Sequence, residues 1–98
     1  FSYQSIIYIV KYLFIKNFLE LIEKKIKSNL IIEKINIIDN THKHTKHKFF
    51  DKNKFHISLE IYSEHLKSLN RIKAQRMIME ILKEELDYKI HALEIKIK

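Results

Sequence analysis

The 98-residue chain contains no cysteine, no glycine and no proline. Without Cys there is no disulfide, no thiol nucleophile and no metal site built on the chain's own thiolates. The same absence suits a reducing compartment. Without Gly the chain cannot form a P-loop, a Rossmann fingerprint, a nucleophile elbow or the GXXG clamp of RNA-binding KH domains. Each of those needs a backbone that a ligand or helix approaches with no Cβ in the way. Ser, His and Asp are present, but nothing spaces them around a turn that would expose a nucleophile, so the chain reads as a non-enzyme. Long apolar runs are also lacking. The stretch from Ser5 to Ile15 carries Lys11 and is too short to span a bilayer, so no membrane segment is expected.

What is present fits one globular domain. Apolar residues make up 46% and charged residues 32%, an ordinary balance that argues against wholesale disorder. At this length folding buries roughly two thirds of the unfolded surface, enough for one core. The formal charge of +7 favours anionic partners, although the Lys, Ile and Asn enrichment is also what AT-rich coding produces.

Apolar positions Ile6, Ile7, Val10, Leu13 and Phe14, continued by Phe18, Leu21 and Ile22, predict a first helix. Residues 1–17 read as an N-terminal extension, either a lead-in to that helix or the remnant of a targeting sequence, since they hold lysines and no acid. Ser28 and Asn29 supply the stop, with Asn29 suited to the αL conformation. Leu30–Ile38 is an Ile-rich strand candidate. After a polar loop from Asp39 to Lys54, Phe55, Ile57, Leu59 and Ile61 alternate with polar partners in a second strand. Ser63 is a candidate N-cap for one short helical turn, and Asn70 for a long helix reaching about Leu86, with Ala74, Ile78, Ile81 and Leu82 along one face. Ile90–Ile97 alternates again and places His91 on the face of Leu93, Ile95 and Ile97.

The resulting order is α-β-β-α-α-β. The first two strands are expected to pair antiparallel and the third to lie parallel to the second by a right-handed crossover. Helices then cover one face of a three-stranded mixed sheet, an α+β single domain. Met77 and Met79 read as packing residues, Glu84 and Glu85 as a solvated helix end, and His56 and His65 as surface residues.

Three of the six histidines, His42, His44 and His47, fall within six residues of the polar loop. Lys43, Lys46 and Lys48 interleave them, repel a free dication, favour the neutral ring and favour an anionic target. With no thiolate and no acidic cluster near, the nearest carboxylate being Asp39, this loop is a poor private site for structural zinc.

From Phe18 to Ile97 the chain resembles the BolA family. The resemblance rests on Ile37-Ile38-Asp39-Asn40-Thr41-His42-Lys43-His44, similar to the family's V-x-D-E-S-H-x-H, and on His47, which sits where many members have Gly-His. It continues in Phe55-His56-Ile57-Ser58-Leu59, Glu84-Glu85-Leu86 and Ile90-His91-Ala92-Leu93, the last matching the family's I-H-A-L. The chain departs from the family pattern at Leu66-Lys67-Ser68, which lacks the Gly of F-x-G. It departs again at Ala74-Gln75-Arg76, which keeps only the last residue of R-H-R, and at Lys46 in place of Gly.

The resemblance implies a type II KH-like fold over residues 18–98 and partnership with a monothiol glutaredoxin. In such a heterodimer a [2Fe–2S] cluster is held by the glutaredoxin cysteine, a glutathione thiolate and two BolA residues. Carried over, those two are His91 and His47, with His42 and His44 as further candidates; the isolated chain is expected to be monomeric and to hold no cofactor. Two histidines on one iron would resemble Rieske ligation, which raises the potential over all-thiolate clusters. The implied role is iron–sulfur trafficking adaptor. An intracellular, reducing location is expected, the mitochondrion if the source is eukaryotic and the cytoplasm otherwise. The alternative is a nucleic-acid-binding transcriptional regulator, in which Lys67, Arg71, Lys73 and Arg76 meet phosphates.

Overall fold

The fold is arranged around one strand, β2 (Phe55–Tyr62), because every second residue of it is apolar and its flanks are both paired. Phe55, Ile57, Leu59 and Ile61 are 8%, 2%, 0% and 0% exposed, so one whole face of β2 is core. The computed structural model describes residues 3–41 and 55–98. Within them α1 (Tyr3–Asn29) is followed by β1 (Lys34–Asp39), β2, α2 (Glu64–Lys67), α3 (Arg71–Ile81), α4 (Lys83–Tyr88) and β3 (Ile90–Ile97). The sheet order is β1-β2-β3, with β1 antiparallel and β3 parallel to β2. This is the α+β arrangement that the pattern predicts.

The helices pack on one face. Phe18, Ile22 and Ile26 of α1, Leu66 of α2, and Ala74 and Ile78 of α3 meet Ile35, the β2 row and Ile90. The N-terminal part of α1 is largely open to solvent: Ile9, Val10, Tyr12, Leu13 and Phe14 are about half exposed or more, and of these Phe14 still stacks on Phe55. Among the described residues no helix is long and apolar enough to cross a membrane.

With no Gly or Pro, side-chain oxygens and amides end the helices. Ser63 Oγ accepts from Leu66 N at 3.1 Å, and Asn70 Oδ1 accepts from Ile72 N at 2.9 Å, so both anticipated N-caps form. Asn29 does not act as anticipated. No described residue has positive φ; instead Asn29 Nδ2 donates to Lys25 O at 2.7 Å, covering a last-turn carbonyl from its side chain.

Three other boundaries differ from the sequence pattern. β1 begins at Lys34, not Leu30, because its partner strand ends at Tyr62, the residue opposite Lys34. Ile31 is left 71% exposed, and its carbonyl accepts from Ser63 Oγ at 2.6 Å. The anticipated long helix breaks at Leu82 (φ −98°, ψ 16°), which stays fully buried while α4 sets off afresh. That break brings Glu85 inward. It is 5% exposed rather than solvated, and its Oε1 accepts from Lys25 Nζ of α1 at 2.5 Å. Met77 packs against the core as anticipated, but Met79 is 48% exposed on the outer face of α3.

The hydrogen bond from Lys25 to Glu85, with smaller electrostatic help from Glu85 and Glu84 against some desolvation, holds the Lys25 ammonium above its usual range. A raised lysine pKa gives stability that is complete below the unfolded value, about pH 10, and is lost as pH rises through the folded value. Stability is therefore predicted to fall on the alkaline side of pH 10, and Lys25→Met to lower the urea midpoint at neutral pH and remove that alkaline dependence. Leu59→Ala, at the centre of the buried row, should cost about 2–5 kcal/mol in equilibrium unfolding.

Candidate functional site

The candidate site lies at the end of the sheet where β1 finishes and β2 and β3 begin. Antiparallel pairing sets Asp39 opposite Ile57, and parallel pairing sets Phe55 beside Ile90. The histidine loop leaves the sheet after Thr41 and returns at Phe55, so both of its stems stand at the edge that carries His91. The topology alone decides this.

His91 owes its position to a β-bulge. The β3 partner of Phe55 is Ile90, while that of the next residue, His56, is Ala92. His91 has no opposite number and is the extra residue that a bulge leaves over. The bulge changes parity, so that Ile90 and Leu93 both turn toward the core while His91 is exposed. The sequence pattern put His91 on the face of Leu93, Ile95 and Ile97; the register shift overturns that placement. Strict alternation fails wherever one residue is added to a strand.

The loop stem is held by specific hydrogen bonds. Asn40 N donates to His56 O at 2.7 Å, and His56 N donates to Thr41 Oγ1 at 3.1 Å. Asp39 Oδ1 accepts from Thr41 N at 2.9 Å and also from the Thr41 hydroxyl. Asp39 is thereby engaged in shaping the turn. On the return side Phe55 N donates to Lys89 O at 2.8 Å. Phe55 also stacks on Phe18 of α1 with ring centroids 4.7 Å apart, which anchors this end of the sheet to the helical layer.

His56 is the residue that the sequence reading missed. It is 8% exposed, not a surface residue, and its ring centroid lies 5.0 Å from that of His91 at an interplanar angle of 41°. The available signal was its place at the start of the central strand, flanked on both sides. Beside it a shallow recess of about 210 Å³ is lined by Asn40, Ser58, Ala92 and Glu94 as well as His56. Asn40 Nδ2 donates to Ser58 Oγ at 2.7 Å, which lies 3.4 Å from Glu94 Oε2. His42, His44 and His47 lie outside the described residues. Among the described residues no group of three or more His, Asp or Glu is arranged to hold a metal ion.

The four basic residues singled out for phosphate contact are all exposed but do not form one surface. Lys67 and Arg71 share a recess of about 440 Å³ with Lys96 and Lys98 of the β3 end. Lys73 and Arg76 line a different one with Asn70, Met77 and Glu80.

A family model described as BolA-like protein matches residues 26–98. The chain belongs to the BolA family. It is 33% identical over 79 residues to a Sinorhizobium protein described as an uncharacterized protein in the cobS 5′ region, covering 79% of this chain and 85% of that one. It is 32% identical over 78 residues to the UV-induced protein uvi31 of Schizosaccharomyces pombe, covering 76% of each. Among solved structures it is similar to the BolA domain of SufE1 from Arabidopsis thaliana, with a TM-score of 0.68 and 28% identity over 81% of this chain and 87% of that one. BolA1 from Arabidopsis thaliana gives 0.67 and 27% over the same shares. A bol-like protein from Babesia bovis shares the fold, with a TM-score of 0.62 and 18% identity over 80% of this chain and 79% of that one. The family match thus covers both β-strands that frame the loop and the helices α2 to α4, but only the last turn of α1.

Thr41 supplies the acceptor that the His56 amide would otherwise lack at the last rung of the β1–β2 ladder. Thr41→Val is expected to cost about 1–3 kcal/mol, the range for stranding a buried donor. It should also speed hydrogen exchange at the His56 amide more than at Leu59.

Proposed function

We propose that this BolA protein is an iron–sulfur trafficking adaptor that binds a monothiol glutaredoxin and shares its [2Fe–2S] cluster through His91 and His47. The observation that carries the reading is the bulge at His91. It turns an imidazole away from the core face of β3, at the end of the sheet where the histidine loop begins and ends. A core histidine would not need that irregularity.

The donor set fits a shared cluster. An exposed imidazole is a competent ligand for iron. The chain has no Cys, so the thiolates a [2Fe–2S] cluster requires come from the glutaredoxin and glutathione. The cluster is cargo here and not a resident cofactor. This chain's own contribution is to present nitrogen donors from a stiff sheet edge and to receive the partner beside it. The loop lysines add favourable charge toward an anionic cluster. No step calls for a nucleophile or a general acid, and the role is that of an adaptor in a reducing, intracellular compartment.

The test is reconstitution with a monothiol glutaredoxin, glutathione, ferrous iron and sulfide, followed by visible circular dichroism. The wild-type heterodimer should give a spectrum distinct from that of the glutaredoxin homodimer. His91→Ala should abolish the difference, and His47→Ala should change it. Identical spectra for wild type and the double variant would end this proposal.

A second reading, nucleic-acid binding, is favoured by one observation: Lys96 and Lys98 join Lys67 and Arg71 around a single recess. Binding of that kind loses affinity steeply with salt, with a slope near −0.7 per phosphate contacted on a single strand. Titration of a single-stranded oligonucleotide at rising salt should show such a slope and lose part of it in Arg71→Ala. A flat dependence rules this reading out.

A further inference from the structure

His56 has no place in the reading above, yet it occupies the centre of the candidate site. Its main chain is tied to the outgoing loop stem on both sides, by Asn40 N to its carbonyl and by its own N–H to Thr41 Oγ1. Its neighbour on the other flank is Ala92, directly after the bulge. Its ring is buried while the His91 ring is exposed, and the two stand 5.0 Å apart between centroids. The bulge sets the side of the sheet on which His91 leaves the backbone, but a bulged residue lacks a cross-strand partner, so the ladder does not fix its rotamer. Among the described residues, the buried His56 ring is the ring that lies against it.

We propose that His56 is a positioning residue for His91: its buried ring forms a flat wall against which the exposed imidazole rests, so that the His91 donor is presented in one orientation before a partner arrives. The proposal rests on the adaptor reading for what His91 is presented to, but the ring contact belongs to this chain alone. The physical logic is that of groups behind metal ligands. They orient the donor, and their loss typically weakens metal binding 10–100-fold without touching the metal. A ligand held in place loses less side-chain freedom on binding than one that samples several rotamers. Because the His56 backbone also holds Thr41, the wall and the loop stem move as one unit.

The experiment compares wild type with His56→Ala, which removes the wall, and His56→Phe, which keeps a flat ring of similar size. In the isolated protein the carbon-bound proton resonances of the His91 ring should shift in His56→Ala and stay near their wild-type positions in His56→Phe. In the heterodimer reconstituted with monothiol glutaredoxin, glutathione, iron and sulfide, cluster lifetime under a chelator should fall on the order of 10-fold in His56→Ala. It should recover in His56→Phe, and visible circular dichroism should follow the same order. Thermal midpoints of all three proteins separate this from a general loss of fold. Unmoved His91 resonances with an unchanged cluster lifetime in His56→Ala overturn the positioning role. If His91→Ala still alters the spectrum in that case, the adaptor reading survives. Equal losses in the Ala and Phe variants, tracking the thermal midpoint, overturn it in favour of a purely structural residue. A His91→Ala spectrum identical to wild type removes the adaptor reading and the positioning role together.

Discussion

The stack of Phe18 and Phe14 on Phe55 is the contact on which the candidate-site end of the sheet depends. Phe55 is the first residue of the central strand, and the two α1 rings lie 4.7 and 6.1 Å from it. Aromatic pairs at such distances add to their burial energy and have a preferred geometry, so they fix orientation as well as proximity. Phe55 pairs with Ile90 on its other side, and the bulge that frees His91 begins at the next residue. A helix remote in sequence thus anchors the strand residue beside which the bulge at His91 begins. Lys89, immediately before β3, closes over Phe14 at 5.3 Å and extends the same contact.

The helical layer reaches definition without the residues that usually punctuate it. Asn29, Ser63 and Asn70 each spend a side chain on a helix terminus, and Leu82 ends α3 by staying in the core while the backbone leaves the helical path. That interruption has a second effect, the pairing of Lys25 with Glu85 across α1 and α4. The lysine is partly exposed and the carboxylate buried, so the pair is modest as a source of stability. Removing Lys25 would leave the Glu85 charge buried without it, and the pair ties α1 to α4. In the first turns of α1, Ile6, Ile9 and Val10 remain more than half exposed.

On the proposed adaptor reading, the site is one half of a larger one. It offers nitrogen donors and no thiolate; of its described carboxylates, Asp39 is committed to Thr41 and Glu94 lies beside Ser58. Such a set suits shared ligation, in which affinity comes from the assembled pair of proteins and not from either alone. Precision must then be supplied by rigidity around the few ligands present. The ladder between β1 and β2, the Thr41 side chain and the buried His56 ring supply that rigidity on this side.

The sequence by itself determined the element order, the burial of the β2 row, two of the three side-chain caps and the likeness to the BolA family. These follow from periodicity, capping chemistry and short motifs, all of which act over a few residues. It also singled out His91 and the loop histidines, since residue type and spacing are local facts. Only the tertiary structure decided where β1 starts, because a strand ends where its partner ends. Only it decided that Glu85 is buried, because that needs the break at Leu82 and a lysine sixty residues away. His91 changed face because a register shift between neighbouring strands leaves no trace in a single strand's alternation. His56 emerged from a surface assignment into the middle of the site for the same reason: its burial is set by what lies on both sides of the central strand, and those neighbours are far away in the chain.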